Sequence, residues 1–406
     1  MTAILIAPNV SEQMGGEAIK ALQIALELLA QGVRVRQITH DRVKGELDRK
    51  FPQIEATYVR DTGFQRFLNR TRVFRPLLKL HFQWRAARLA GQIAGTVPNP
   101  VVHYTSPVSP VLPCFRIRGN VPVVIGPLNG NIFYPPAFQA RESLQDRCRR
   151  VLHPVAQAWH RLFFRGKQTA DALLVASGQR TMASLRMAGC RDEQFVPSID
   201  SGIPNRLGDL PRVTHAGENP RFVHNGRLVD HKGADLVIKA LKRTRLPCRL
   251  DVIGRGPERA KWMALADDLG LADRVTFIEW IEDHSKVPEV MRAYRAFVFP
   301  SLAEANGIVV QEAMMYGLPV VCLDWGGPRL LVTPDNGVLI EPRDEQHVVT
   351  ELAKAMDLLA ADGELAERMS VAGRERALAG KFLWKDTIRD WMGVYARVAQ
   401  ARASTR

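Results

Sequence analysis

Short apolar runs, each followed by a longer stretch with helical spacing, recur along almost the whole 406-residue chain. Runs that short and that uniformly apolar suit strands covered on both faces, as in a parallel sheet flanked by helices. In the first half the predicted strands are 3–8, 33–38, 101–104, 121–125, 172–176 and 195–199. The alternation then breaks. Ile203-Pro204-Asn205-Arg206-Leu207-Gly208-Asp209-Leu210-Pro211 and a polar run to Asn219-Pro220 read as a linker. It resumes with predicted strands at 221–224, 250–253, 275–278, 296–299, 319–323 and 338–340. Two doubly wound α/β halves follow, 1–202 and 203–380. A last helix within 381–406 has apolar positions at 384, 388, 391, 392 and 395. Open sheets of this kind bind ligands beyond the carboxyl ends of their strands, so two of them facing each other would enclose a cleft with one substrate per domain.

Composition narrows the class. No apolar run approaches the ~20 residues of a membrane span. The N-terminus lacks the basic start of a secretion signal and reads as a first strand. Five scattered cysteines with no C-x-x-C suit a reducing, cytoplasmic compartment. The net charge of +14 is lopsided. Residues 1–200 hold 27 Lys and Arg against 14 Asp and Glu, whereas residues 201–406 hold 29 against 28. An anionic partner is therefore expected for the first half alone.

The richest segment is Glu304-Ala305-Asn306-Gly307-Ile308-Val309-Val310-Gln311-Glu312, between a predicted strand and a helix ending at Gly317-Leu318-Pro319. If the helix starts near Asn306 or Gly307, Glu312 lies roughly 8 Å along it. A helix start offers free N–H groups and partial positive charge to an anion, and Gly307 admits a bulky ligand. A phosphate there, with a carboxylate on either side, matches a nucleotide-sugar. Two acids alone also suit an ordinary strand–loop–helix unit, so the flanking residues decide. Upstream, Gly226-Arg227-Leu228-Val229-Asp230-His231-Lys232-Gly233 puts an Arg and a Lys at one strand end, where they can grip a diphosphate. Gly254-Arg255-Gly256-Pro257 imitates a dinucleotide fingerprint, but its third glycine position is Arg259. Gly15-Gly16 precedes a predicted helix over 17–29, with Ala18, Ile19, Leu22, Ala25, Leu26 and Leu29 on one face. It reads either as a phosphate-covering loop or as a flexible one.

Pro300 to Val321, with its two glutamates, Glu-Ala-Met and Gly-x-Pro-Val-Val, resembles the E-x7-E signature of retaining glycosyltransferases with the GT-B fold, family 4 type. The 226–233 stretch is similar to that family's G-R-L-x-x-x-K-G run, and 254–257 to its Gly-x-Gly-Pro turn. The likeness is close over 223–337 and weak in the first half. It implies two Rossmann-like domains, the nucleotide-sugar on the C-terminal one and the acceptor on the N-terminal one, with the last helix crossing back. It implies that Arg227, Lys232 and the helix start at Asn306, Gly307 and Ile308 hold the donor diphosphate. Glu304 would hold donor-sugar hydroxyls, Glu312 the ribose, and the turn ending at Ile281 the base, although Glu279 stands where the family usually has Gly. The resemblance also places Gly15-Gly16 near the donor phosphates and acceptor, and makes His103, otherwise an unremarkable strand histidine, a contact of the donor sugar. Gly126-Pro127-Leu128-Asn129-Gly130-Asn131 resembles a Gly-Pro-x-Asn-Gly-Gly loop of polysaccharide-building members, with Asn131 for the second glycine.

Without a D-x-D or a ligand cluster, the expected reaction needs no metal, and no cofactor beyond the nucleotide-sugar co-substrate. The expected acceptor is a saccharide or lipid-linked saccharide. Two basic–apolar stretches, Arg60 to Arg88 and Arg141 to Lys167, suggest an anionic membrane surface at the inner face of the cell membrane as a partner. The other reading of those stretches is core packing with a solvated face. Rival functions are a sugar-nucleotide epimerase or a glycan phosphorylase, although no pyridoxal lysine setting is found for the latter. A further rival is a nucleic-acid binder, disfavoured here.

Overall fold

A computed structural model describes residues 1–60, 75–279, 281 and 286–404. The chain divides into two units. One comprises Met1–Asn131, Val151–Ser201 and Trp384–Arg406, the other Ile132–Arg150 and Gly202–Leu383. The sequence reading assigned 132–150 to the first half. In the structure Tyr134 and Phe138 are buried in the second unit's core, and the Trp325 indole donates to the Phe133 carbonyl at 2.8 Å. Arg141 bridges Asp230 and Asp235 at 2.8 and 3.1 Å. Nothing local in 132–150 announces this, because its partners lie far along the chain.

The first unit is built on a seven-stranded sheet in the order β3-β2-β1-β4-β5-β6-β7. The strands are β1 (Thr2–Ile6), β2 (Arg34–His40), β3 (Glu55–Val59), β4 (Pro100–Tyr104), β5 (Val123–Leu128), β6 (Ala172–Val175) and β7 (Phe195–Pro197). Its helices are α1 (Gly16–Ala30), α2 (Lys44–Lys50), α3 (Arg75–Ala94), the later part of α4 (Leu144–Phe163) and α5 (Gln179–Met187). β3 escaped the sequence reading. It is an edge strand, only partly buried, and Glu55-Ala56-Thr57-Tyr58-Val59 lacks the continuous apolar run of its neighbours. In α1 the buried stripe runs through Ala21, Ile24 and Leu28 as well as Ala18, Leu22 and Ala25, which leaves the expected core residue Ile19 exposed.

The second unit is built on a six-stranded sheet in the order β10-β9-β8-β11-β12-β13. These are β8 (Arg221–Asn225), β9 (Arg249–Ile253), β10 (Val275–Ile278), β11 (Ala296–Phe299), β12 (Val320–Leu323) and β13 (Gly337–Ile340). With them go α6 (Ala234–Leu241), α7 (Arg259–Asp268), α8 (Val287–Met291), α9 (Ile308–Tyr316), α10 (Pro328–Leu331), α11 (Glu345–Ala361) and α12 (Gly363–Ala379). Every strand pairing in both sheets is parallel among the described residues.

The final helix, α13 (Trp384–Ala403), belongs to the first unit. Trp384, Ile388, Trp391, Val394, Tyr395 and Val398 enter the core that also holds Ala21, Leu28 and Val101. Polar ties fix it as well: the Trp391 indole donates to Ser198 Oγ at 2.9 Å and Arg402 pairs with Asp171 at 2.7 Å. Among the described residues no helix is long and apolar enough to cross a membrane.

Candidate functional site

In the second sheet the strand order reverses between β8 and β11, which pair in parallel. Folds of this kind bind ligands beyond the carboxyl ends of the strands at such a reversal. After β8 the chain turns through Gly226, at φ 155°, and reaches Gly233 in the left-handed region, at φ 73°. A side chain at Gly233 would lie 2.4 Å from the Pro300 carbonyl, so glycine is what lets this loop settle on the end of β11. The Leu302 N–H (2.7 Å) and the Ser301 hydroxyl (3.1 Å) both donate to the His231 carbonyl, tying the two loops together.

That stitching brings Lys232 and Glu304 into an ion pair, with both side chains largely buried. The Lys232 ammonium also lies 5.1 Å from the centre of the Phe299 ring, and the second Glu304 oxygen accepts the Ala305 N–H at 3.1 Å. The loop is pinned from β12: the Gly327 N–H donates to the Glu304 carbonyl at 2.8 Å, and a side chain at Gly327 would meet the Ala305 carbonyl at 2.2 Å. Gly307, at φ 73°, then caps α9, where Ile308 is exposed and Asn306 buried. Glu312 follows on the second turn. Burial pushes its carboxyl up to about 7, and the nearby Arg206 offsets part of that rise. Arg227 is exposed, and its guanidinium makes no hydrogen bond or ion pair among the described residues. Lys232, Glu304, Asn306, Gly307 and Ile308 therefore lie together on two adjoining loops, with Glu312 further along α9 and Arg227 on the loop after β8.

The Gly254-x-Gly256 turn has a different task from a phosphate cradle. A side chain at Gly254 would sit 1.9 Å from the Gly226 carbonyl, and one at Gly256 2.0 Å from the Leu228 carbonyl. Leu228 donates to the Arg255 carbonyl at 2.9 Å and Glu258 to that of Leu228 at 3.1 Å. The turn thus braces the Arg227 loop. Glu279, where glycine was expected, pairs with Arg255 at 3.4 Å on the surface. Ile281 is half-buried, and the residues beside it, 280 and 282–285, lie outside the described residues.

In the first unit Gly15 and Gly16 are exposed at the start of α1 with open space where side chains would stand. His103 departs from its expected role. It is fully buried: its Nε2–H donates to the Gly126 carbonyl at 2.7 Å, and the Tyr395 hydroxyl donates to Nδ1 at 2.6 Å. Burial pushes its pKa down to about 4. Both ring nitrogens are occupied, so none remains for a sugar hydroxyl, and the histidine joins β5 to α13. Asn131, replacing a glycine of the resembled loop, takes φ 60°, a conformation asparagine tolerates, and donates to the Arg180 carbonyl at 3.2 Å.

Four polar side chains were not foreseen. Arg206 faces Glu312 from what was read as linker. Arg141 grips Asp230, two residues before Lys232. His224, one residue from the end of β8, is buried against Phe299 and held neutral, its pKa pushed down to about 4 by burial. Lys20 is buried in a pair with Asp200 at 2.8 Å. Of these only Lys20 left a trace in the sequence, as a charge on the apolar side of α1.

Residues 209–376 match the glycosyl transferases, group 1, family. A D-inositol 3-phosphate glycosyltransferase of Stackebrandtia nassauensis is 33% identical over 228 residues, 53% of this chain and 48% of the relative, so the chain spans about half that relative's length. The lipopolysaccharide core biosynthesis mannosyltransferase LpsB of Rhizobium meliloti is 31% identical over 250 residues, 56% of this chain and 67% of LpsB. Among solved structures, Anabaena HepE in complex with UDP superposes with a TM-score of 0.65 at 17% identity, covering 98% of this chain and 100% of that one. The two parallel-sheet, Rossmann-like domains are those of GT-B glycosyltransferase structures. By its family match and its likeness to LpsB, this chain belongs to the group 1 glycosyltransferases.

Proposed function

We propose that this protein is a retaining glycosyltransferase of the family 4 type. It moves a sugar from a nucleoside-diphosphate donor to a saccharide or lipid-linked saccharide acceptor, in the building of a bacterial-type surface polysaccharide. The observation that carries this proposal is the Lys232–Glu304 pair at the reversal of the second sheet, beside the start of α9. A cation and a carboxylate held together there can part to serve a phosphate and a sugar hydroxyl that are themselves covalently joined. Lys232, Arg227 and the N–H groups at Gly307 and Ile308 stabilise the charge that develops on the leaving diphosphate. Glu304 orients the donor sugar, and Glu312 accepts hydrogen bonds from the ribose. The acceptor hydroxyl attacks on the face the diphosphate is leaving, so the anomeric configuration is kept. Positive side chains supply the compensating charge, so the reaction proceeds with no divalent metal and no cofactor besides the donor.

Incubation of the purified chain with a panel of nucleotide-sugars, with and without saccharide acceptors, tests this. The expected result is acceptor-dependent release of nucleoside diphosphate, unaffected by a chelator, with a product of the donor's anomeric configuration. Free sugar released from every donor without any acceptor points instead to an epimerase-like reaction on the same fold. A chelator-abolished activity restored by magnesium or manganese overturns the metal-free mechanism.

A further inference from the structure

Helix α4 (Leu144–Phe163) is built inside out. The residues it buries, His153, Gln157 and His160, are all polar. The Gln157 amide and a His153 ring nitrogen meet the Ser184 hydroxyl at 2.7 and 2.9 Å, which ties the polar inner face to α5, while the Gln157 carbonyl oxygen is buried without a partner among the described residues. The outer face is apolar. Val151, Leu152, Val155, Trp159, Leu162 and Phe163 are each more than half exposed, and Leu144 continues the same stripe two turns earlier. Their spacing of three and four residues puts them along one side of the helix. An ordinary surface helix turns such a stripe inward and its polar residues outward. The described part of α3 does so, burying Phe82, Ala86, Ala87 and Ala90 while Arg85 and Arg88 face solvent. That part of the Arg60 to Arg88 stretch is core packing, and Arg66, Arg70 and Arg72 lie outside the described residues.

We propose that the outer face of α4 docks on an anionic membrane surface. Charge argues for this occupant. From residue 147 to 165 the chain carries no Asp or Glu, while Arg147, Arg149, Arg161 and Arg165 are exposed around the stripe. Arg149 leans on Asp146 at 3.6 Å, but Arg147, Arg161 and Arg165 form no ion pair among the described residues. The two histidines add no charge, since burial pushes both down, His160 to about 4. A second copy of the helix, packed about a two-fold axis, would set these arginine rims against each other with no acid in the run to answer them. Lipid phosphates answer them, and Trp159 suits the boundary between headgroups and acyl chains.

Flotation of the full chain with vesicles tests the proposal without donor or acceptor, so it stands or falls apart from the transferase activity. Vesicles of equimolar phosphatidylglycerol and phosphatidylcholine should carry the protein. Pure phosphatidylcholine should not, and high salt should release it. Replacing Trp159, Leu162 and Phe163 together with Ser should weaken recovery at least about tenfold, as expected for lost apolar insertion, with the melting temperature unchanged because these side chains are exposed. Trp159→Phe should keep flotation and remove the blue shift in tryptophan fluorescence on vesicle addition. Equal flotation of the triple variant and the parent protein overturns the assignment, as does no flotation at all. A dimer that the triple variant dissolves, without lipid binding, makes the face a contact between copies and overturns it too.

Discussion

The two sheets carry the same reversal of strand order, between β1 and β4 in the first and between β8 and β11 in the second, yet they arm it differently. At the second, a cation and a carboxylate meet on adjoining loops, and the close approach of Gly233 to the Pro300 carbonyl holds those loops against one another. At the first, the polar group on β4 is His103, sealed in the core with both nitrogens committed to Gly126 and Tyr395. The first unit leaves the bare Gly15 and Gly16 exposed at the start of α1. A shared topology thus supplies a crevice, but the chemistry depends on which side chains the loops leave unsealed.

The largest effect should come from breaking the sealed site. His103→Ala removes a buried ring and leaves the Tyr395 hydroxyl and the Gly126 carbonyl without partners, a loss of about 3–5 kcal/mol by the usual costs of cavities and orphaned polar groups. Tyr395→Phe removes one hydroxyl and should cost about 1–2 kcal/mol. Denaturant titration reads both, and calorimetry should find nucleoside-diphosphate affinity unchanged in Tyr395→Phe. If Tyr395→Phe kept its stability and lost turnover, His103 would belong to the chemistry and the contrast between the sheets would fail.

At the armed site, Glu304→Gln should lower turnover roughly a hundredfold, the scale of a contact made to the reacting sugar. Free nucleoside diphosphate should bind as well as before or tighter, because Lys232 loses the carboxylate that competes with phosphate for it. Weaker diphosphate binding in this variant would mean that Glu304 organises the phosphate pocket. Lys232→Ala and Arg227→Ala should each raise the diphosphate dissociation constant at least about tenfold, since charge-assisted bonds are worth roughly 1.5–3 kcal/mol. Calorimetry at two salt concentrations separates them: the exposed Arg227 should be the more salt-sensitive contributor.

Twelve of the strands are legible in sequence because each is a short apolar run bounded by turn residues, and β3 is not, because Glu55-Ala56-Thr57-Tyr58-Val59 is only partly buried and carries no such run. The loop chemistry of the second unit is legible for a related reason: Gly226 to Gly233 and Glu304 to Glu312 are each short spans dense in glycine and charge. What cannot be read is any partnership set by tertiary contact. Arg141 with Asp230, Arg206 with Glu312 and Tyr395 with His103 join residues 89, 106 and 292 positions apart, and no local spacing encodes them. The outward apolar face of α4 was visible only as a mixture of basic and apolar residues, because periodicity tells that a helix has two faces and not which one the protein covers.

The smallest expected effect is also the one that separates function from stability most cleanly. Glu312 sits where burial raises its carboxyl to about 7, above the 4.5 of an exposed glutamate. Between those values the folded protein holds a proton that the unfolded chain has released, so stability falls as pH rises from about 4.5 through 7. Glu312→Gln stays neutral throughout. The variant should therefore melt at a higher temperature than the parent protein at pH 8, and the gap should shrink at pH 5, where the parent carboxyl is protonated. Nucleotide binding should move the opposite way. A ribose hydroxyl donates to a carboxylate, so the parent protein should bind nucleoside diphosphate a few-fold more tightly at pH 8 than at pH 6, in keeping with one charged hydrogen bond. Glu312→Gln should show weaker binding and a flatter profile over that range. A variant that gains stability at pH 8 and loses affinity there would mark Glu312 as a charge kept in an unfavourable place for the ligand. Gain in stability with affinity and its pH profile intact would leave Glu312 a buried acid with no part in the site, and would confine the working constellation to Arg227, Lys232, Glu304 and the start of α9.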